Sequence, residues 1–235
     1  MHQDELSKKG YTIIGDVYTQ AELATITAMI ENADASRPTF RKTGDLFAIR
    51  QFLKELPAIH EVLYKSTLRR IIDECISPDH FVVKSIYFDK PEASNWFVAW
   101  HQDLTISVDK KLDLPGYGPW TVKQDQYAVQ PPLAILERIF TIRIHLDDTD
   151  EGNGALRVIP GSHRHGIQRF SNIAATSAPF SEETCRVPGG GIMLMRPLLQ
   201  HASNRTTDMR RRRVIHIECC DAELPQDLQW AERLS

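Results

Sequence analysis

This sequence predicts an α+β fold, mainly β, with a double-stranded β-helix core of the jelly-roll or cupin-like kind and N-terminal helices packed on one face. Three observations predict it. Helical periodicity is confined to the first third of the chain, short strand-like runs fill most of the remainder, and turns rich in glycine, proline and asparagine separate those runs.

The elements follow in order. Tyr11 to Val17 reads as a short strand, and Thr19 with Glu22 forms a capping box that opens an amphipathic helix from Gln20 to Asn32. Helical patterns recur at Pro57 to Tyr64 and Thr67 to Ile76. Strand patterns then run over His80 to Asp89, Trp96 to His101, Glu137 to Leu146, Leu156 to Pro160, Gly191 to Arg196 and Arg212 to Cys219. Asn153-Gly154 and Pro160-Gly161-Ser162 supply turns, the first because Asn-Gly accepts positive φ. Residues 104–132 fit neither period and carry Pro115, Gly116, Gly118, Pro119, Pro131 and Pro132, so they are expected to form a lid-like segment.

At 235 residues, 42% hydrophobic and 25% charged, the chain can bury a substantial core. One domain over 1–235 is expected, with a helix-rich part at 1–79, the jelly-roll core at 80–220 and a C-terminal tail at 221–235. A net charge of -3, spread along the chain, gives no reason to expect nucleic acid or an anionic membrane as partner, and a small molecule fits better. The start is polar, and no apolar run approaches the roughly 20 residues of a membrane span. Cys75, Cys185, Cys219 and Cys220 match neither a zinc ribbon nor a disulfide scaffold, so reduced thiols in a cytoplasmic protein are expected.

Iron(II) chemistry with dioxygen needs mixed nitrogen and oxygen donors that leave coordination positions open, and two histidines with one carboxylate provide them. An H-x-D triplet puts two donors on one side of a strand, because residues two apart share a face. The chain contains three such triplets. His2-Gln3-Asp4 lies at a terminus expected to fray, and His145-Leu146-Asp147 leads into the acidic turn Asp148 to Glu151. His101-Gln102-Asp103 has an aromatic approach through Trp100, the lid-like segment after it, and enough strand-forming chain beyond it to return His201 across a sandwich.

These pieces carry a resemblance over residues 84–219. Lys90-Pro91 before Trp100-His101-Gln102-Asp103, Asn153-Gly154-Ala155-Leu156 running into Pro160-Gly161-Ser162-His163, His201-Ala202-Ser203-Asn204, and the arginine-headed strand at Arg212 stand in the order seen in the phytanoyl-CoA dioxygenase family of Fe(II)/2-oxoglutarate oxygenases. The resemblance implies Fe(II) held by His101, Asp103 and His201, with 2-oxoglutarate and O2 as cosubstrates. It implies hydroxylation of a small-molecule substrate with release of succinate and CO2. Members that lack the aspartate can be halogenases, and Asp103 is present.

The distal carboxylate of 2-oxoglutarate calls for a bidentate arginine. The run Arg210-Arg211-Arg212-Arg213 offers four, of which the resemblance selects Arg212, with Arg210 in reserve. Ser203 is a second contact implied by the resemblance. Lys84 is a further candidate on the opposite wall, and a snorkelling strand lysine is an equal reading. Tyr117, Trp120 and Tyr127 are candidates to line the substrate side, and Arg143 alternates so as to face either cavity or solvent. His163 and His216 read as structural.

Two other functions remain open on the sequence. A jelly-roll metal-binding protein without oxygenase activity, or a metal-dependent isomerase or hydrolase, would use the same three ligands but be indifferent to Arg212→Ala. A binding module built on the arginine run would associate with polyanions in a salt-dependent way.

Overall fold

The computed structural model describes residues 1–44, 47–76, 78–92, 94, 96–123, 126–168, 181–225 and 227–234. Helix α1 (His2–Lys9) leads into strand β1 (Tyr11–Ile14), and helix α2 (Gln20–Glu31) follows with the capping box between Thr19 and Glu22 formed in both directions. Leu23, Ile26 and Ile30 recur at helical spacing and supply its buried face. Strands β2 (Phe40–Lys42) and β3 (Phe47–Arg50), then helices α3 (Phe52–Glu55), α4 (Ile59–Leu63) and α5 (Ser66–Cys75), complete the N-terminal part. Next come β4 (Phe81–Lys90), β5 (Val98–His101), β6 (Ile106–Val108), β7 (Trp120–Lys123), β8 (Gln126–Val129) and α6 (Leu133–Leu136). The chain ends with β9 (Ile139–His145), β10 (Leu156–Val158), a 3-10 turn at Ser162–His165, β11 (Glu183–Thr184), β12 (Ile192–Met195), β13 (His201–Ser203) and β14 (Arg212–Cys220).

The strands pair antiparallel into a seven-stranded sheet, β1-β12-β9-β14-β4-β3-β2, and a four-stranded sheet, β11-β10-β13-β5. These are the two layers of a jelly-roll sandwich, and they do not close into a barrel. Alternation along the central strands divides their side chains. Phe140, Ile142 and Ile144 of β9, with Ile215 and Ile217 of β14, join Ile26, Phe52, Leu63, Leu68 and Ile72 in the core beneath the helices. The intervening Arg143, Arg212, Val214 and His216 point into the sandwich and line a cavity there. Burying each such aliphatic side chain contributes about 1.5–3 kcal/mol.

Three regions differ from the sequence reading. The first residues form a helix with Leu6 buried, closed by Gly10 at φ +85. A side chain at Gly10 would strike the His163 ring, so α1 is held against the 3-10 turn. The lid-like stretch 104–132 instead contains a three-stranded sheet, β6-β8-β7, whose Ile106, Val108 and Val129 pack with Leu136, Leu224, Leu228 and Trp230. Its strands are three or four residues long and broken by Pro and Gly, too short for a period of two to register. The C-terminal tail belongs to that same core, with Trp230 Nε1 donating to Ala222 O at 3.0 Å and Leu234 bridged to Val82. Among the described residues, no helix is long and apolar enough to cross a membrane.

Candidate metal centre

His101 closes β5, and its register partner across the antiparallel pair is His201 at the start of β13. The pairing joins chain segments a hundred residues apart and brings the ring centroids to 4.2 Å. Asp103 lies two residues beyond His101, where its N–H donates to Pro197 O at 2.9 Å. Gln102 between them turns to the other side. Its Nε2 donates to Leu198 O at 2.6 Å and Gly166 O at 2.9 Å, and its Oε1 accepts from Gln168 N at 2.8 Å. The spacer therefore fastens β5 to the turn before β13 and fixes where its two neighbours point.

The hydrogen bonds also settle the imidazole tautomers. His101 Nδ1 is 2.8 Å from Ala99 O, and His201 Nδ1 is 2.9 Å from Leu199 O. A carbonyl can only accept, so both Nδ1 atoms carry the proton and both Nε2 atoms present a lone pair. The two Nε2 atoms lie 3.8 and 3.7 Å from the Asp103 carboxylate oxygens. All three donor atoms fall within 4.8 Å of one another. Two imidazole nitrogens and one carboxylate, with open space on one side, suit a divalent metal that keeps exchangeable positions.

Electrostatics agree with that donor set. Burial pushes the His201 imidazole down to about 4, against the opposing pull of Asp103, so the ring stays neutral. Burial alone would raise the Asp103 carboxyl, but His201, His216, Lys84 and His101 together hold it below the usual carboxylate range. Both shifts favour the forms that coordinate a metal, a neutral His201 and an ionised Asp103.

The ligands open on a cavity of about 150 Å³ between the two sheets. Arg212 and Ser203 line it, as do Arg143, His216, Lys90, Phe88, Trp96, Val98, Leu156 and Val214. The four adjacent arginines separate cleanly here. Arg210 pairs with Asp150 and Asp208, Arg211 with Asp89, and Arg213 with Asp147. Arg212 is 5% exposed, forms no ion pair among the described residues, and leaves Nε and Nη1 buried without a hydrogen-bond partner. Burial, with Arg143 nearby, draws its guanidinium down to about 9. Such a group is poised to receive an anion.

Other sequence candidates are placed differently. Lys84 does not line the cavity; its Nζ is 2.7 Å from Glu218 Oε1, because Lys84 and Glu218 are register partners on β4 and β14. Tyr117, Trp120 and Tyr127 also lie off the cavity lining and pack on the core of the small sheet, where three short strands need their area. Ser203 donates to Gly154 O at 2.9 Å, and Gly154 (φ +78) can take no side chain, since a Cβ would come within 2.7 Å of Lys90 Nζ and Asn204 O. Arg143 is buried and faces the cavity.

The remaining histidines have other partners. His145 Nδ1 bonds Thr149 Oγ1 at 2.8 Å while Asp147 is taken by Arg213, so that H-x-D pair does not converge. His2 Nδ1 bonds Thr12 Oγ1, and His163 Nε2 bonds Ser7 O at 3.2 Å. His216, read as a structural histidine bonded to a neighbour, bonds Arg143 and Glu218, and it also lines the cavity wall beside Asp103. Phe88, Trp96, Val98 and Val214 were not singled out, and Lys90 and Leu156 entered only as parts of motifs. Alternation from Arg212 through Val214, His216 and Glu218 was the available signal for β14.

Comparison with known proteins gives one family match. The sequence profile described as Phytanoyl-CoA dioxygenase (PhyH) matches residues 6–213. No curated protein matches the sequence. EctD from S. alaskensis, solved with 2-oxoglutarate and 5-hydroxyectoine, shares 18% identity over 93% of this chain and 74% of its own, with a TM-score of 0.70. The same protein has been solved with bound Fe. HygX from Streptomyces hygroscopicus, solved with nickel, 2-oxoglutarate and hygromycin B, shares 14% identity over 93% of this chain and 86% of its own, with a TM-score of 0.65. SnoN, a non-heme alpha ketoglutarate dependent epimerase from nogalamycin biosynthesis, shares 13% identity over 94% and 82%, with a TM-score of 0.67. At these identities the likeness establishes the fold.

Proposed function

The chain belongs to the phytanoyl-CoA dioxygenase family, and from that premise we propose that it is an Fe(II)- and 2-oxoglutarate-dependent dioxygenase that hydroxylates a small molecule and releases succinate and CO2. The observation that carries the reading is the pairing, in one cavity, of the His101, Asp103 and His201 donors with a buried Arg212 that forms no ion pair among the described residues. A buried guanidinium with unpaired N–H groups in the same cavity supports an anionic cosubstrate over metal binding alone.

His101, Asp103 and His201 would hold the iron, which together with 2-oxoglutarate and O2 supplies the oxidising power for an unactivated C–H bond. The protein's own residues do the rest. The carbonyls of Ala99 and Leu199 keep the ligand tautomers fixed, and Gln102 fixes their direction. Arg212 receives the distal carboxylate of the cosubstrate, with Ser203 beside it as a second donor once its hydroxyl turns from Gly154. Phe88, Trp96, Val98, Leu156 and Val214 keep water away from the reacting carbon. Residues 1–235 act as one catalytic unit, in which the helices of 1–79 brace the outer face of the large sheet.

The test is succinate formation by purified protein given Fe(II), ascorbate and 2-oxoglutarate, with product mass gain of one oxygen from a metabolite extract. Wild type should turn over and Asp103→Ala should not. Absence of both turnover and iron-dependent 2-oxoglutarate binding in wild type rejects the reading, and metal binding that is indifferent to Arg212→Ala favours the non-oxygenase alternative.

A further inference from the structure

The cavity carries more positive charge than the proposed reaction uses. Arg143 and Arg212 line it against one carboxylate, Asp103. Just behind the wall, Lys84 and Glu218 offset each other as an ion pair. A divalent metal adds two positive charges and 2-oxoglutarate brings two negative ones, so one positive charge among these groups stays unmatched once metal and cosubstrate are counted.

Arg143 is the cation that the reaction leaves without a role. It is 8% exposed at the middle of β9, with its Nε buried and lacking a hydrogen-bond partner, and it makes no ion pair among the described residues. Its Nη1 donates to His216 Nδ1 at 3.0 Å. Arginine cannot accept, so His216 is the acceptor there and carries its proton on Nε2, which donates to Glu218 Oε1 at 3.1 Å. Lys84 grips the same carboxylate at 2.7 Å. This buried chain holds the guanidinium in one orientation and uses only one of its faces, and burial draws it below the usual arginine range. Arg210, Arg211 and Arg213 show how this chain neutralises an arginine when it has a carboxylate to spare.

Arg143 and Arg212 do not start from the same place. Arg143 stands opposite His216, four residues along β14 from Arg212, which is about 13 Å of strand. One cosubstrate carboxylate meets one guanidinium fork in the bidentate geometry that makes such contacts strong. Phe88, Trp96, Val98 and Leu156 line the same cavity and give it an apolar surface that suits a carbon skeleton.

Building on the cosubstrate role given to Arg212, we propose that Arg143 anchors an anionic group of the substrate itself, a carboxylate or a phosphate, and so restricts the enzyme to small anionic molecules. His216 and Glu218 are positioning residues for that anchor.

The test is calorimetric titration of anaerobic protein loaded with Fe(II) and 2-oxoglutarate, using butanoate, inorganic phosphate and butanamide as probes. Wild type, Arg143→Lys, Arg143→Gln and Arg212→Gln are compared, and the 2-oxoglutarate affinity of each metal-loaded form is measured separately. At least one of the two anions should bind wild type about tenfold or more tightly than the amide, and Arg143→Gln should remove that advantage while Arg143→Lys keeps much of it. The stronger anion identifies the substrate's charged group. Arg143→Gln should leave 2-oxoglutarate affinity within about twofold, whereas Arg212→Gln should lower it by about tenfold or more. The proposal is overturned if neither anion binds, if the amide binds as well as the anions, or if Arg143→Gln weakens 2-oxoglutarate as Arg212→Gln does. Should wild type bind no 2-oxoglutarate, the cosubstrate reading fails by itself, and the anion titrations on protein carrying metal alone still decide the role of Arg143. If Arg143→Gln does not fold, the anion-against-amide comparison in wild type and Arg143→Lys decides.

Discussion

His101 and His201 face each other as register partners on neighbouring antiparallel strands, each ring pinned through Nδ1 to the carbonyl two residues before it. The same local device is used twice, so both Nε2 lone pairs converge beside Asp103 without help from any distant side chain. A metal entering this site meets ligands already in the right tautomer.

Removing a ligand should therefore abolish activity without unfolding the protein. Asp103→Ala and His201→Ala are expected to lower iron-dependent succinate formation by at least about a hundredfold. Thermal unfolding of the metal-free proteins, measured alongside, separates loss of the ligand from loss of the fold. Retained turnover in either variant counts against the assignment.

Gln102 is expected to matter although it touches no ligand atom. Its three hydrogen bonds tie β5 to Leu198, Gly166 and Gln168. Gln102→Ala should weaken metal affinity by roughly 10–100-fold, the range seen when groups supporting metal ligands are removed. Metal titration followed by calorimetry reads this directly, and unchanged affinity would show that the strand end needs no clamp.

The arginine run gives a contrast within four residues. Arg212→Gln should raise the KM for 2-oxoglutarate by about tenfold or more, whereas Arg210→Gln should leave it alone. Arg210 is half exposed and bound to Asp150 and Asp208 at the surface, so its loss should cost little stability. Similar kinetic effects from both substitutions would mean that the inward face has been misassigned.

Stability should fall in mild acid because of His145. Burial, reinforced by Arg143 and Arg212, pushes its imidazole well below the ordinary value of 6.5. The unfolded chain therefore takes up the proton first as pH drops below 6.5, and unfolding is favoured there by up to about 1.4 kcal/mol per pH unit. Denaturation midpoints measured across pH 7 to 5 (roughly the window below the free imidazole value) should show this slope, and His145→Asn should reduce it, leaving the part of the same sign that His201 contributes.

Trp230 tests whether the last residues are core. It is 6% exposed and packs with Leu224, Leu228 and Val108. Trp230→Ala should cost about 3–5 kcal/mol in denaturant unfolding. A loss under about 0.5 kcal/mol, the size expected at a surface position, would falsify its placement in the core.

How much of this was legible beforehand differs from element to element. The long strands and α2 could be read because nine or ten residues of alternation, or a capping box followed by apolar spacing, repeat a signal often enough to be recognised. The sheet at 106–129 and strands β2 and β3 could not, since three- and four-residue strands carry one or two informative positions each. Tyr117, Trp120 and Tyr127 looked like substrate contacts for that reason; with no sheet in view, their apolar surface had no visible partner.

The sequence by itself determined the chemistry available, namely three H-x-D pairs, a later histidine and four adjacent arginines, together with the two-face alternation of the strands that carry them. Only the tertiary structure decided which of these act together. Alternation says that neighbouring residues take opposite faces but not which face looks inward, and that choice follows from the packing of the helices on Phe140, Ile142, Ile144, Ile215 and Ile217. Once those five are covered, Arg143, Arg212 and His216 have nowhere to point but the cavity, and the pairing of β5 with β13 sets His201 beside His101 across a hundred residues of chain.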